Sequence, residues 1–150
     1  MVFPYTCTLS SLQDTANLAV QLSTLLSPSS VLLLSGDLGA GKTTFVQALA
    51  RAFGITRTVT SPTFTLANEY PMPQGGTLVH YDLYRLASPY GLYELGFEDA
   101  LEKGAILVME WPEKALEVLN LEVPHRFHLN LTLDENGVRH AVLSEENANE

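Results

Sequence analysis

The sequence predicts an α/β fold whose central strands run parallel, and three features predict it. Two apolar runs, Val31 to Leu34 and Ala105 to Met109, lack polar alternation, as expected of strands covered on both faces. Helical-period stretches flank the first run: Leu12, Ala16, Ala19, Leu22 and Leu26 before it, and Phe45, Ala48, Leu49 and Ala52 after it. A glycine-rich turn joins that run directly to the second helix. At 150 residues the chain is long enough for one core and short for two, so a single domain over residues 1–150 is expected.

Taken in order, Pro4 to Leu9 reads as an opening strand. Ser10-x-x-Gln13 has capping-box spacing and starts the first helix, which Ser27-Pro28-Ser29-Ser30 ends. The second helix covers Thr43 to Phe53, with Gly54 a natural stop. Phe64 to Tyr70 and Thr77 to Leu83 read as an antiparallel pair around the turn-forming segment PMPQGG. Tyr90 to Lys103 is helical but broken by Gly91 and Gly96. Pro112 opens a short helix, where its missing N–H does no harm. His125 to Leu133 and Val138 to Leu143 flank Asp134-Glu135-Asn136-Gly137, whose Asn-Gly pair signals a hairpin. Residues 144–150 read as a frayed acidic tail.

Composition narrows the function classes. Hydrophobic residues at 46% and charged residues at 17% are globular proportions. The apolar runs are too short to cross a bilayer, and the opening residues lack the features of a secretory signal. Cys7 is the sole cysteine, so no internal disulfide can form and a reducing cytoplasm is the expected setting. Net charge is −9, from eight basic and seventeen acidic residues, which argues against holding RNA directly by its phosphates.

Gly36 to Thr43 fits G-x-x-x-x-G-K-[ST], the phosphate-binding P-loop, and it lies between a buried strand and an amphipathic helix as that motif requires. The glycines let backbone N–H groups turn inward with no Cβ in the way. Lys42 brings a full charge to the β- and γ-phosphates, and the Thr43 hydroxyl is placed to ligate Mg²⁺. The candidate nucleotide contacts are therefore Asp37, Leu38, Gly39, Ala40, Gly41, Lys42, Thr43 and Thr44.

A P-loop needs a carboxylate near the metal and a group to orient water. Glu110 ends the apolar strand Ala105 to Met109, and Asp82 ends the strand within His80-Tyr81-Asp82-Leu83-Tyr84-Arg85. Strand ends of this kind collect at the ligand edge of a parallel sheet. Lys42, Asp82 and Glu110 are the candidate catalytic residues. His80 could orient Asp82 or pack on its strand. Thr60, Ser61, Pro62, Thr63 and Phe64 belong to a hydroxyl-rich loop able to sense a γ-phosphate, or simply to cap a strand. Trp111, beside Glu110, could cover the nucleotide or anchor the core; the residue type alone leans to the core. His125 and His128 are three apart on a strand and face opposite ways, so they are not read as metal ligands.

The segments GDLGAGKTT, TVTSPTFTLANEY, HYDLYRL and MEWPEK, in that order, resemble the bacterial TsaE family, the ATPases of tRNA threonylcarbamoyladenosine synthesis; the resemblance spans about Ser10 to Leu116. It implies a three-layer P-loop NTPase fold with a mixed, mainly parallel sheet, and Mg²⁺-dependent hydrolysis of ATP. It also implies work alongside TsaD and TsaB, which modify adenosine 37 of ANN-decoding tRNAs, so this chain would meet tRNA only indirectly. On that resemblance Thr43 and Glu110 hold the metal, Asp82 supports metal or water, and Thr60 to Phe64 form a switch-like loop; Trp111, adjoining Glu110, is counted among the nucleotide contacts. Two rivals are a small-molecule kinase and a GTP-dependent switch. The chain has no arginine cluster for a phosphoryl-transfer lid and no Asn-Lys pair for reading guanine.

Overall fold

Side-chain alternation on the second strand divides the molecule. Leu32 and Leu34 join one buried cluster while Val31 and Leu33 join another, so the strand is covered on both faces. The computed structural model describes residues 1–37, 39–62 and 64–150. Its strands are β1 (Tyr5–Leu9), β2 (Val31–Gly36), β3 (Ala67–Pro71), β4 (Thr77–Asp82), β5 (Ile106–Glu110), β6 (His125–Leu133) and β7 (Arg139–Asn147). Its α-helices are α1 (Leu12–Leu25), α2 (Lys42–Ala52), α3 (Phe97–Glu102) and α4 (Leu116–Glu122), with 3₁₀ segments at Pro89–Leu95 and Pro112–Lys114.

The strands form one sheet in the order β1-β7-β6-β2-β5-β4-β3. The four central strands β6, β2, β5 and β4 are parallel, and β7 and β3 pair antiparallel at the flanks. One face carries α1 and α2, with Leu18, Leu22, Phe45 and Leu49 packed on Ile106, Val108 and Leu129. The other carries the first 3₁₀ segment, α3 and α4, with Leu92, Phe97 and Leu119 on Tyr81, Leu107 and Met109. Each such fully buried leucine or phenylalanine stabilises by about 1.5–3 kcal/mol. The three-layer α/β architecture with a mixed sheet is the one expected.

Several boundaries differ from expectation for local reasons. The cap of α1 is Ser11, which accepts the Asp14 N–H, while Asp14 accepts the Ser10 N–H in return. That reciprocal pair displaces Ser10–Gln13 by one residue and leaves Leu12 exposed. β3 starts at Ala67 rather than Phe64, because Leu66 turns through a left-handed φ of 62°. Only one of the two glycines breaks the long helical stretch: the 3₁₀ segment passes through Gly91 and ends at Gly96, whose φ is 74°. The tail is not frayed from residue 144. β7 continues to Asn147, pairing Ser144 to Asn147 with His128 to His125, and Ala148 N–H donates to Pro124. Arg126 and His128 both bind Glu146, so charge carries the strand past the end of its apolar pattern.

Candidate functional site

Parallel strands bring their carboxyl ends to one edge, and three of them deliver chemistry there. β2 passes through the glycine loop into α2, whose first residue is Lys42. β5 ends on Glu110 and β4 on Asp82. The registers set Glu110 between Leu34 and Asp82. Both acids share strand parity with Leu78, Ile106 and Val108 of the α1–α2 cluster, so they face the side on which α2 begins.

The loop is built for close approach. A Cβ on Gly36 would lie 2.6 Å from the Leu131 carbonyl oxygen, which excludes any side chain there. Gly41 is left-handed, with φ 99°, and no side chain caps α2 behind it. The first N–H groups of α2 are thus left for an incoming acceptor, at the positive end of the helix dipole. Ala40 is buried and donates its N–H to the Asp37 carbonyl, closing the turn.

Lys42 does not reach into an open loop. It is 7% exposed, its Nζ sits 4.0 Å from the centroid of the Trp111 ring, and that Nζ has no hydrogen-bond partner among the described residues. Withdrawing an ammonium from water costs several kcal/mol, and a desolvated cation–π contact returns about 2. The balance leaves a place for an anion. Trp111 itself is half-buried and left-handed, φ 57°, with its ring 4.9 Å from that of Tyr84. It both lines the cleft and packs against the core under β5, held at a backbone cost of about 1–2 kcal/mol.

The two acids are held differently. Glu110 is 4% exposed and its Oε2 lies 2.5 Å from Nε2 of the wholly buried His80. His80 thus serves Glu110, not Asp82: it points to the same face two residues before Asp82, and the glutamate is long enough to reach back over Val108. The other ring nitrogen, Nδ1, has no partner among the described residues. Asp82 accepts the Ser61 hydroxyl at 3.2 Å and the Tyr84 N–H at 3.1 Å, and keeps some solvent exposure.

These groups line one cleft of about 300 Å³: Asp37, Gly39, Gly41, Lys42, Thr43, Thr44, Ser61, Asp82, Glu110, Trp111 and Arg139. Of the hydroxyl-rich loop, only Ser61 enters it among the described residues. The Thr60 N–H donates to the Tyr70 hydroxyl, Pro62 is buried, and Phe64 points outward with the Arg85 guanidinium 5.4 Å from its ring centroid. Leu38 and Thr63 lie outside the described residues. Arg139 was missing from the expected set. The Asn-Gly turn announces the hairpin that carries it, but no local pattern says that β6 lies beside β2. A larger hollow, about 660 Å³, is lined by Gln47, Arg51, Ile55 and their neighbours and contains none of these groups, so size alone does not mark the site.

Comparison with known proteins gives a family and a matching fold. The family model described as threonylcarbamoyl adenosine biosynthesis protein TsaE matches residues 9–141, past the motif-bearing region and into β7. A Rickettsia typhi protein named tRNA threonylcarbamoyladenosine biosynthesis protein TsaE is 39% identical over 141 residues, 93% of this chain and 94% of its own. Proteins of the same name from Treponema pallidum and Aquifex aeolicus are 41% and 44% identical, covering 75% and 71% of this chain and 82% and 75% of their own. The crystal structure of Bacillus subtilis YdiB superposes with a TM-score of 0.76 at 27% identity, over 99% of this chain and 89% of that one.

Proposed function

The chain belongs to the TsaE family of threonylcarbamoyl adenosine biosynthesis proteins, and from that premise we propose that it is a Mg²⁺-dependent ATPase whose hydrolysis drives or resets the machinery that makes N6-threonylcarbamoyladenosine on tRNA. The observation that carries the reading is the Lys42 ammonium, buried without an acceptor among the described residues, beside uncapped helix N–H groups and two strand-end acids. A nucleoside triphosphate supplies what that group lacks.

In this reading the loop N–H groups cradle the phosphates and Lys42 binds the β- and γ-oxygens. Thr43 and Glu110 hold the metal, with His80 fixing one carboxylate oxygen so that the other is presented to the cleft. Held there, Mg²⁺ would supply positive charge to offset that of the phosphates. Asp82, nearer solvent, orients the attacking water. Ser61 donates to Asp82 and connects that acid to the loop ahead of it, so loss of the γ-phosphate can alter the loop. Trp111 shields the phosphate site on one side.

The sequence carries no arginine-rich lid to clamp a phosphoryl group on its way to an acceptor, so in this reading the useful output of hydrolysis is a change of state read by partners. TsaB and TsaD are the proposed partners, in the cytoplasm, and the charge of −9 leaves tRNA binding to them. The test measures phosphate release by the chain alone and with the TsaB–TsaD pair, and its association with the pair in ATP, in ADP and without nucleotide. Slow hydrolysis alone, faster hydrolysis with the pair and nucleotide-dependent association are expected. No hydrolysis in either setting removes the ATPase reading; equal association in all three conditions removes the partner reading.

A further inference from the structure

Arg139 begins β7, and its strand parity is that of Ala141 and Leu143, which point into the α1–α2 cluster. At the strand's end no core remains on that side, and the side chain lies over the glycine loop instead. Its Cδ and Nε would be 3.3 Å from a Cβ on Gly41, and one Nη donates to the Gly39 carbonyl at 3.5 Å. Among the described residues no carboxylate is within ion-pair distance of it, and Asp134, in the turn just before it, is taken by His140. An exposed guanidinium thus lines the cleft that Asp82, Glu110 and Trp111 also line, with no ion-pair partner among the described residues.

We propose that Arg139 is a nucleotide-binding residue that grips the α/β-phosphate end of the nucleotide, a role that rests on the ATPase reading above. The part of a P-loop that Arg139 touches, Gly39 to Gly41, is the part whose N–H groups cradle the α- and β-phosphates, whereas the γ-phosphate lies toward Lys42, the metal and the acids. A charge at the α/β end binds substrate, transition state and diphosphate product alike. It therefore sets affinity and leaves the chemical step alone.

Isothermal titration of wild type, Arg139→Ala and Arg139→Lys with ADP and with a non-hydrolysable ATP analogue tests this, together with kcat for each. Arg139→Ala is expected to raise Kd for both nucleotides by about tenfold, with kcat unchanged, since a charge-assisted hydrogen bond is lost. Arg139→Lys is expected to fall between, keeping the charge without the fork. Unchanged affinity for both nucleotides, or a fall in kcat at constant affinity, overturns the inference. The second result would make Arg139 a γ-phosphate group instead. Wild type that binds neither nucleotide removes the ATPase reading as well, so the two failures are told apart. Arg139 is exposed, so the variants fold.

Discussion

Two groups of charged side chains sit on the same sheet and differ in one respect. Around β6 and β7, Arg126 Nε donates to Glu146 Oε1 at 3.0 Å and its Nη1 to the Val123 carbonyl at 3.1 Å, at the end of α4. His128 binds the other Glu146 oxygen at 2.9 Å and the Ser35 hydroxyl at 2.7 Å. Burial pushes the Glu146 carboxyl up, but hydrogen bonds from His128 and Arg126 outweigh it and hold the group below its usual range. At the carboxyl edge, by contrast, Lys42 Nζ and His80 Nδ1 are buried with no partner among the described residues. Both groups contain a cation, a histidine and a glutamate. The first is closed on itself and stabilises the fold; the second is left open, which a protein tolerates where a ligand completes it.

Crossed substitutions test that contrast most strongly. Lys42→Ala is expected to cut hydrolysis by at least about 10²-fold, as loss of a charge at the transferring phosphoryl group does. Its thermal midpoint should not fall, because an unpaired buried ammonium is removed. Arg126→Ala should do the reverse: turnover unchanged, and stability lower by about 2 kcal/mol, less than for a fully buried pair because Glu146 is a third exposed. Phosphate release and thermal melts on both variants give the answer. A stability loss in Lys42→Ala equal to that in Arg126→Ala would erase the distinction.

Within the open group, the acids should separate by their holding partners. Glu110→Ala is expected to raise the Mg²⁺ concentration needed for half-maximal rate. Asp82→Ala should lower turnover at saturating Mg²⁺. His80 is a positioning residue, so His80→Ala should shift the Mg²⁺ requirement by about tenfold in the same direction as Glu110→Ala, with recovery in His80→Gln. If His80→Ala changes only stability and leaves the Mg²⁺ curve in place, the histidine is a core residue and not part of the site.

The same contrast explains what could be read in the sequence. Gly36, Gly41, Lys42 and Thr43 were legible because their chemistry depends on neighbours within a few residues. The apolar runs around Leu33 and Leu107 fixed which strands lie in the middle, and hence that Glu110 and Asp82 end at one edge. What escaped depends on contacts across the sheet. The pairing of His80 with Glu110 needs the β4–β5 register, and the place of Arg139 needs β6 beside β2. The continuation of β7 through Glu146 needs Arg126 and His128 opposite it. The Lys42–Trp111 contact needs the left-handed turn at Trp111, which its place before Pro112 disfavours.

Trp111 offers a gentler probe of the open group. Its ring touches Lys42 and Tyr84, so ATP or ADP binding at the cleft should change its fluorescence, and as the sole tryptophan it gives an unambiguous signal. Lys42→Ala should reduce the amplitude as well as the affinity, because the cation over the indole is gone. A flat titration where binding is established by calorimetry would mean that Trp111 does not sense the nucleotide.

The smallest expected effect lies at the β6–β7 turn, at the end of the hairpin away from Arg126, His128 and Glu146. Asp134 closes that turn: its side chain accepts the Asn136 and Val138 N–H groups and binds His140, two residues along from Val138 and one past Arg139. The His140 hydrogen bond first, then the Val138 and Asn136 N–H groups, hold its carboxyl below the usual range. A carboxyl lowered on folding stabilises the folded state above its ordinary titration range, and that contribution is lost as pH falls through the lowered value. Asp134→Ala should therefore reduce the thermal midpoint slightly near neutral pH, with the gap to wild type closing as the solution is made acidic. It should also weaken ADP binding, though by less than Arg139→Ala, because the turn that aims Arg139 is loosened while the guanidinium remains. Melts across the acid range, with ADP titrations near neutral pH, separate the two consequences. A stability gap that stays constant with pH would assign the effect to lost turn geometry, and unchanged ADP affinity would show that the first turn of β7, rather than Asp134, aims the arginine.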